Sequence, residues 1–192
     1  MTGEEFKILE LISKMSMDKA SQVFSKTIKA GSRIEIARLR KVDITQISEE
    51  LEGEDKEVSG AIVQLTGDTP TKLLFMINLD GALTLTDLYL RRNIGETKDF
   101  DIFVESTIQE IGNILASSIA NVFVKDFNIE LSPEPPLVIN DYSSSIFNTL
   151  LMEEAYSGND EIILVETKFF IVKMSIDCNL ILLPSFDSTK LL

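Results

Sequence analysis

The stretch that organises this chain is Ser106 to Pro136, STIQEIGNILASSIANVFVKDFNIELSPEPP. Polar residues recur in it at steps of four, three and four, which places them on one face of an α-helix. They are Ser106, Glu110, Asn113 and Ser117. Apolar residues recur on another face, namely Ile108, Ile111, Leu115, Ile119 and Val122. The pattern predicts a helix from about Asp101 to Val124, which at about 1.5 Å per residue is roughly 35 Å long.

Gly112 interrupts this helix between the two polar residues Glu110 and Asn113. A glycine inside a helix costs about 1 kcal/mol relative to alanine, so its presence needs a reason. We expect Gly112 to leave a bare spot where the backbone of a partner approaches the helix. This is a feature of a binding site more than of a core.

The bulk composition excludes several classes of function. The net charge of −13 argues against nucleic acid or an anionic membrane as the partner, because a phosphate backbone is bound mainly by clustered Lys and Arg. The chain contains no His, which excludes a Ser-His-Asp triad and the usual His-containing zinc sites. Cys178 stands alone in an apolar strand pattern and is predicted to be buried. The chain has no signal pattern and no membrane-length apolar run, so we expect a cytoplasmic protein.

The order of predicted elements repeats once along the chain, with a displacement of about one hundred residues. Each half reads as a long helix, a strand, a short helix or loop, and two more strands. We place the boundary between the halves in the polar segment Asn93 to Asp99, giving half-repeats of about 1–95 and 96–192 in one domain. The predicted fold is α+β, with a pseudo-two-fold axis, an antiparallel sheet and two long helices side by side on one face.

Periodicity and turn residues predict the individual elements. Helices are expected at Glu5 to Ala30, ended by Gly31, and from Asp141 or Ser143 to about Tyr156. Asp80-Gly81 is expected to begin a connection, and a helix of about three turns is expected after it, with Thr86 or Leu83 near its start. Strands are expected at Ser32–Val42, Val58–Leu65, Lys72–Ile77, Phe127–Leu131, Leu137–Asn140, Glu161–Val172 and Cys178–Leu183. Met174 to Asp177 is expected in the last connection, and the acidic stretch between residues 44 and 55 is expected to be a solvated loop.

The spacing of Ser106, Glu110, Asn113 and Pro136 resembles the signature of the CheC-type phosphatases of chemotaxis, a family that includes CheC, CheX and FliY. The string EIGNI, Glu110 to Ile114, is similar to the helix of that family. The similarity continues through the second half in PPLVIND, SSIFNTLLMEE, DEIILVET and ILLP. It is thinner over the first half. The fold that this resemblance implies is the one predicted above.

The resemblance implies an enzyme that accelerates hydrolysis of the aspartyl phosphate of the response regulator CheY. Glu110 and Asn113 would be the catalytic residues, and Ser106, Gly112 and Pro136 would support the site. No cofactor or metal of the chain's own is implied, because Mg²⁺ belongs to the phosphorylated CheY partner. The receptor deamidase CheD is a second partner suggested by the resemblance.

The first helix lacks the signature residues. Aligned by hydrophobic phase, Lys7, Leu11 and Lys14 fall where Ser106, Glu110 and Asn113 lie, and no proline follows at the corresponding distance. The usual CheC pattern has Glu and Asn in both halves, so we predict one working site. Two alternatives stay open: an adaptor that binds phosphorylated CheY without turnover, and a flagellar-switch component with a degenerate phosphatase face.

Overall fold

The computed structural model describes residues 3–29, 31–43, 56–156, 161–171 and 174–184. They include the helices α1 (Gly3–Ile28), α2 (Leu79–Leu90), α3 (Ile102–Phe127) and α4 (Ser143–Tyr156). The strands are β1 (Ser32–Asp43), β2 (Glu57–Gly67), β3 (Thr71–Asn78), β4 (Leu131–Pro133), β5 (Leu137–Tyr142), β6 (Glu161–Ile171) and β7 (Met174–Pro184). The expected acidic loop at 44–55 lies outside the described residues.

All the described strands belong to one antiparallel sheet with the order β1-β6-β7-β3-β2, and both β4 and β5 pair with the outer edge of β2. If β1 is exchanged with β4 and β5, β2 with β6, and β3 with β7, the same strand order results, read from the opposite edge of the sheet. The α+β class and the antiparallel sheet are therefore confirmed, and the order is the one expected for a pseudo-two-fold repeat. The halves meet where β3 pairs with β7, from Thr71 opposite Pro184 to Ile77 opposite Cys178.

The two long helices α1 and α3 contact each other and cover one face of this sheet. The main core lies beneath them. Phe24 of α1 packs edge-on against Phe169 of β6, with ring centroids 5.7 Å apart, and Phe75 of β3 lies 5.9 Å from the same ring. Fully burying a side chain of this size contributes roughly 1.5–3 kcal/mol.

The opposite face of the sheet carries a smaller apolar cluster, to which α4 contributes Ile146. Strand β3 alternates between the two clusters, with Leu73, Phe75 and Ile77 towards the long helices and Leu74 and Met76 towards the other side. A strand buried on both faces reads as an unbroken apolar run. This is why TKLLFMIN is so uniformly apolar in its centre.

Helix α2 begins at Leu79, so the predicted start near Leu83 or Thr86 is wrong. The Oδ1 atom of Asn78 accepts a hydrogen bond of 2.7 Å from the Gly81 N–H group and caps the helix. Gly81 was predicted to belong to a connection, but it lies buried in the first turn, where a Cβ would come within 2.8 Å of Ile77 and 2.7 Å of Ile176. Packing against β3 and β7 therefore sets this helix start.

Three further boundaries differ from the prediction. Helix α3 continues to Phe127 and ends at Asn128, whose φ of 55° is left-handed, so the strand predicted at Phe127–Leu131 is wrong except at its last residue. Met174 to Asp177 pairs with β6 and is not a connection. Helix α1 ends at Ile28, and the left-handed residue after it is Lys29 rather than Gly31.

No described helix has the length and apolar composition needed to cross a membrane.

Candidate functional site

Helix α3 is capped at both ends by hydrogen bonds, from a side chain at its start and from the backbone at its end. At its start, the Oδ1 atom of Asp101 accepts from the N–H groups of Phe103 at 2.9 Å and Val104 at 3.0 Å. At its end, the N–H group of the left-handed Asn128 donates to the carbonyl oxygen of Phe123. A carboxylate at this start also faces the positive end of the helix dipole. The helix is therefore a rigid support for the side chains along its outer face.

The polar residues predicted to share a face of α3 do so. Ser106 and Asn113 are exposed, whereas Glu110 and Ser117 are half-buried. The Ser117 hydroxyl donates to Oδ1 of Asn113 at 3.5 Å, a long hydrogen bond between residues one turn apart. Glu110 and Asn113 thus lie next to each other on a surface that a partner can reach.

Gly112 lies on the buried side of α3, so the prediction of a bare spot for a partner's backbone is wrong. A Cβ at this position would lie 2.7 Å from the Cβ atom of Ala61 in β2 and 3.5 Å from that of Pro136. The missing side chain lets the helix approach its own sheet. Pro136 therefore packs directly beneath the turn of α3 that carries Glu110 and Asn113.

Tyr89 on α2 is a neighbour of Glu110 that was not predicted from the sequence. Partial burial of the Tyr89 phenol raises its pKa, and the negative charge of Glu110 raises the pKa further. Tyr89 belongs to a segment whose periodicity indicates a helix, but nothing local shows that this helix ends beside α3. The site therefore includes Tyr89, whose titration depends on Glu110.

A buried carboxylate, Asp87, organises the connection from α2 to α3. Its two oxygens accept from the N–H groups of Gly95, Glu96 and Thr97 and from the Thr97 hydroxyl, at 2.6–3.1 Å. Burial opposes ionisation of Asp87, but these hydrogen bonds outweigh it and hold the pKa of the carboxyl below its usual value. We call Asp87, Gly95, Glu96 and Thr97 the Asp87 network. Its hydrogen bonds fix the loop that leads into α3.

The pattern of burial on α1 matches that on α3 in the alignment predicted from hydrophobic phase. Buried residues of α1 correspond in order to buried residues of α3: Leu9, Ile12, Ser13, Met17, Ala20 and Phe24 to Ile108, Ile111, Gly112, Ala116, Ile119 and Phe123. In this register Leu11 takes the place of Glu110 and Lys14 that of Asn113. Leu11 is 51 % exposed, so an apolar side chain faces water where the other half presents a carboxylate.

Among the described residues, no group of three or more Cys, Asp or Glu side chains converges as a metal site would require. Cys178 is buried in β7, as predicted, and the Thr167 hydroxyl lies 3.8 Å from its sulfur.

A model of the CheC-like family matches residues 103–139, the segment that holds Glu110, Asn113 and Pro136. This match and the similarity described next support the resemblance of the chain to the CheC, CheX and FliY group of proteins. The chain is 22 % identical to the CheY-P phosphatase CheC of Bacillus subtilis (strain 168), over 96 % of this chain and 90 % of that protein.

Two solved structures share the fold. FliY of Thermotoga maritima superposes with a TM-score of 0.77 and 17 % identity, over 94 % of this chain and 90 % of FliY. A CheX–CheY–BeF3–Mg2+ complex from Borrelia burgdorferi matches with a TM-score of 0.57 and 19 % identity, over 89 % of this chain and 96 % of the matched one. At these identities the likeness concerns the fold alone.

Proposed function

We propose that this protein is a phosphatase that accelerates hydrolysis of the aspartyl phosphate of a CheY-type response regulator. The observation that carries the proposal is the pair formed by Glu110 and Asn113, which lie one turn apart on the outward face of a rigidly capped helix. The similarity to a CheY-P phosphatase over nearly the whole chain and the fold shared with a CheX–CheY complex support it.

Asn113 is assigned the positioning of the attacking water. The water oxygen forms a bond to phosphorus while the bond from phosphorus to the aspartyl oxygen breaks, releasing inorganic phosphate and the free carboxylate. A carboxamide has one acceptor and two donors, so its oxygen can hold the water while its nitrogen donates to a phosphoryl oxygen. An acyl phosphate has a good leaving group, and the catalysis required is mainly alignment.

Glu110 is assigned the docking geometry. Its carboxylate would pair with a lysine of the response regulator and set the angle at which Asn113 enters the partner's site. Glu110 is half-buried on α3, and lower exposure to water strengthens such an ion pair. A hundred- to thousand-fold acceleration corresponds to about 3 to 4 kcal/mol, which the alignment of one water can supply.

The proposal requires no metal or cofactor on this chain, since the Mg²⁺ ion belongs to the phosphorylated partner. It places the reaction in the cytoplasm, where response regulators work. CheD remains a second partner predicted from the family resemblance. The single site follows from α1, where Leu11 and Lys14 replace the catalytic pair.

The experiment is the decay of purified phosphorylated CheY in Mg²⁺, alone and with this protein. We expect faster decay with the wild type, loss of the acceleration in Asn113→Ala, and a large loss in Glu110→Ala. Lys14→Ala is the matched control, because it is exposed at the equivalent position of α1 and should retain full activity. Activity in Asn113→Ala, or its loss in a stably folded Lys14→Ala, would contradict the single-site phosphatase.

An alternative is that the chain binds phosphorylated CheY without hydrolysing it, as an adaptor or a flagellar-switch component. The apolar and basic residues on the outward face of α1 and the fold similarity to FliY favour this reading. Unchanged decay of phosphorylated CheY together with binding that depends on Glu110 would support it.

A further inference from the structure

Two large apolar side chains stand in water at the start of α3. Ile102 is 71 % exposed and Phe103 is 48 % exposed. Scattered exposed apolar residues are common on soluble proteins, but two adjacent ones in a first helical turn form a contiguous patch.

The patch continues the face that carries the candidate site. Phe103 precedes Glu110 by seven residues, close to two helical turns, so the two side chains project in nearly the same direction about 10 Å apart along the axis. By the same geometry, the Ile102 side chain projects in nearly the same direction as that of Asn113. A partner that reaches Glu110 and Asn113 therefore also covers Ile102 and Phe103.

The Phe103 ring is held in place before any partner arrives. The guanidinium carbon of Arg92 lies 4.9 Å from the ring centroid, a cation–π contact. Arg92 also donates from Nη1 to the Thr97 hydroxyl at 3.3 Å, and Thr97 is bound to the buried Asp87. A pre-ordered aromatic side chain loses little conformational entropy on binding, which favours a role as an interface anchor.

The charged residues around the patch favour the same partner that reaches Glu110 and Asn113. The exposed carboxylate of Asp101 precedes Ile102 in the chain, and Glu110 lies two turns further along the face of Phe103. Arg92, over the Phe103 ring, brings one positive charge to the patch. The two carboxylates fit a partner surface that carries cations, such as the lysine that Glu110 is proposed to pair with.

We propose that Ile102 and Phe103 form the apolar anchor by which the response regulator docks on α3. The inference rests on the proposed function, and it adds the residues that hold the partner to those that act on the phosphate. Because the anchor contacts the partner in the ground state and the transition state alike, it contributes uniform binding.

The test uses the full chain with the double substitution Ile102→Ser and Phe103→Ser. For decay of phosphorylated CheY we expect KM to rise about tenfold or more with kcat nearly unchanged. Phe103→Leu, which keeps an apolar side chain, should retain most of the affinity. Met152→Ser is the matched control, since Met152 is 66 % exposed on α4, against the opposite face of the sheet.

A second readout is the direct affinity for beryllofluoride-activated CheY, measured by calorimetry in the Asn113→Ala background. The double substitution should weaken this binding by a similar factor while the thermal unfolding midpoint stays close to that of the wild type. Wild-type KM and affinity in the double variant would overturn the inference. So would a change only in self-association, which would assign the patch to a second copy of this chain.

The two proposals fail separately. Full activity in Asn113→Ala would contradict the phosphatase itself. Loss of activity in Asn113→Ala with an unaltered KM in the Ile102 and Phe103 double variant would contradict only the anchor.

Discussion

Gly112 and Ala61 leave no room between α3 and β2 for another methyl group: a Cβ on residue 112 would lie 2.7 Å from the Cβ atom of Ala61. Ala61 is fully buried in the middle of β2. Its side chain is a single methyl group with no rotamer that could move it away from α3. The distance between α3 and the sheet is therefore set by the absence of one side chain.

We expect Gly112→Ala to lower the free energy of unfolding by roughly 1 kcal/mol, because the overlap outweighs the gain in helix propensity. The substitution should also reduce phosphatase activity, since α3 must move away from Pro136. Chemical denaturation and CheY-phosphate decay measure the two effects. The second substitution Ala61→Gly should restore part of the loss, and purely additive effects of the two substitutions would contradict the contact.

Glu110 and Tyr89 are expected to be linked in their titration. Removing the charge in Glu110→Gln should lower the pKa of Tyr89 towards its ordinary value, because a nearby anion disfavours the tyrosinate. The Cζ NMR signal of Tyr89, assigned with Tyr89→Phe, reports the titration. Glu105→Gln changes a residue on a different face of the same helix and should leave the pKa of Tyr89 unchanged. An unaltered pKa in Glu110→Gln would show that the two side chains are apart.

Asp87 is expected to stabilise the protein only while it is ionised. Since its pKa is lowered in the folded state, its contribution is complete above the unfolded value of about 3.9 and is lost as the pH falls through the lower folded pKa. Asp87→Ala leaves the donors of Gly95, Glu96 and Thr97 without their acceptor, at a cost of the order of 1–3 kcal/mol.

The measurement for Asp87 is urea denaturation of wild type and variant from pH 7 to pH 2.5. The difference in stability should be constant near neutrality and shrink at the acid end. Asp99→Ala, at an exposed position of the same loop, should show a much smaller effect at every pH. A difference that grows on acidification would contradict the assignment.

Much of α3 could be predicted because its signals are local. The apolar period, the cap at Asp101 and the turn residues beyond Asn128 lie within the segment itself, and the polar face follows from helix geometry alone. The signals for the hairpin of β2 and β3 are equally local, because the two strands are consecutive in the sequence and Gly67 lies at the turn between them. For the same reason the shared face of Glu110 and Asn113 was accessible without a structure.

What the sequence did not reveal depends on contacts between distant segments. Asp80-Gly81 has the composition of a turn, but the fold buries Gly81 against Ile176, nearly a hundred residues away, and a helix results. Gly112 was read as an opening because the sequence does not show that Ala61 and Pro136 fill the space. Tyr89 and the Asp87 network were missed because no periodic pattern marks which helix end meets which loop.

The pairing of β3 with β7 joins the halves along strands that are apolar on both sides, so the halves cannot separate without opening the core. Helix α1 packs into the same core through Phe24 and contacts α3 along its length. Its outward residues Leu11 and Lys14 are exposed and take no part in that packing. The half without the Glu110 and Asn113 pair therefore contributes its stability to the half that carries the pair.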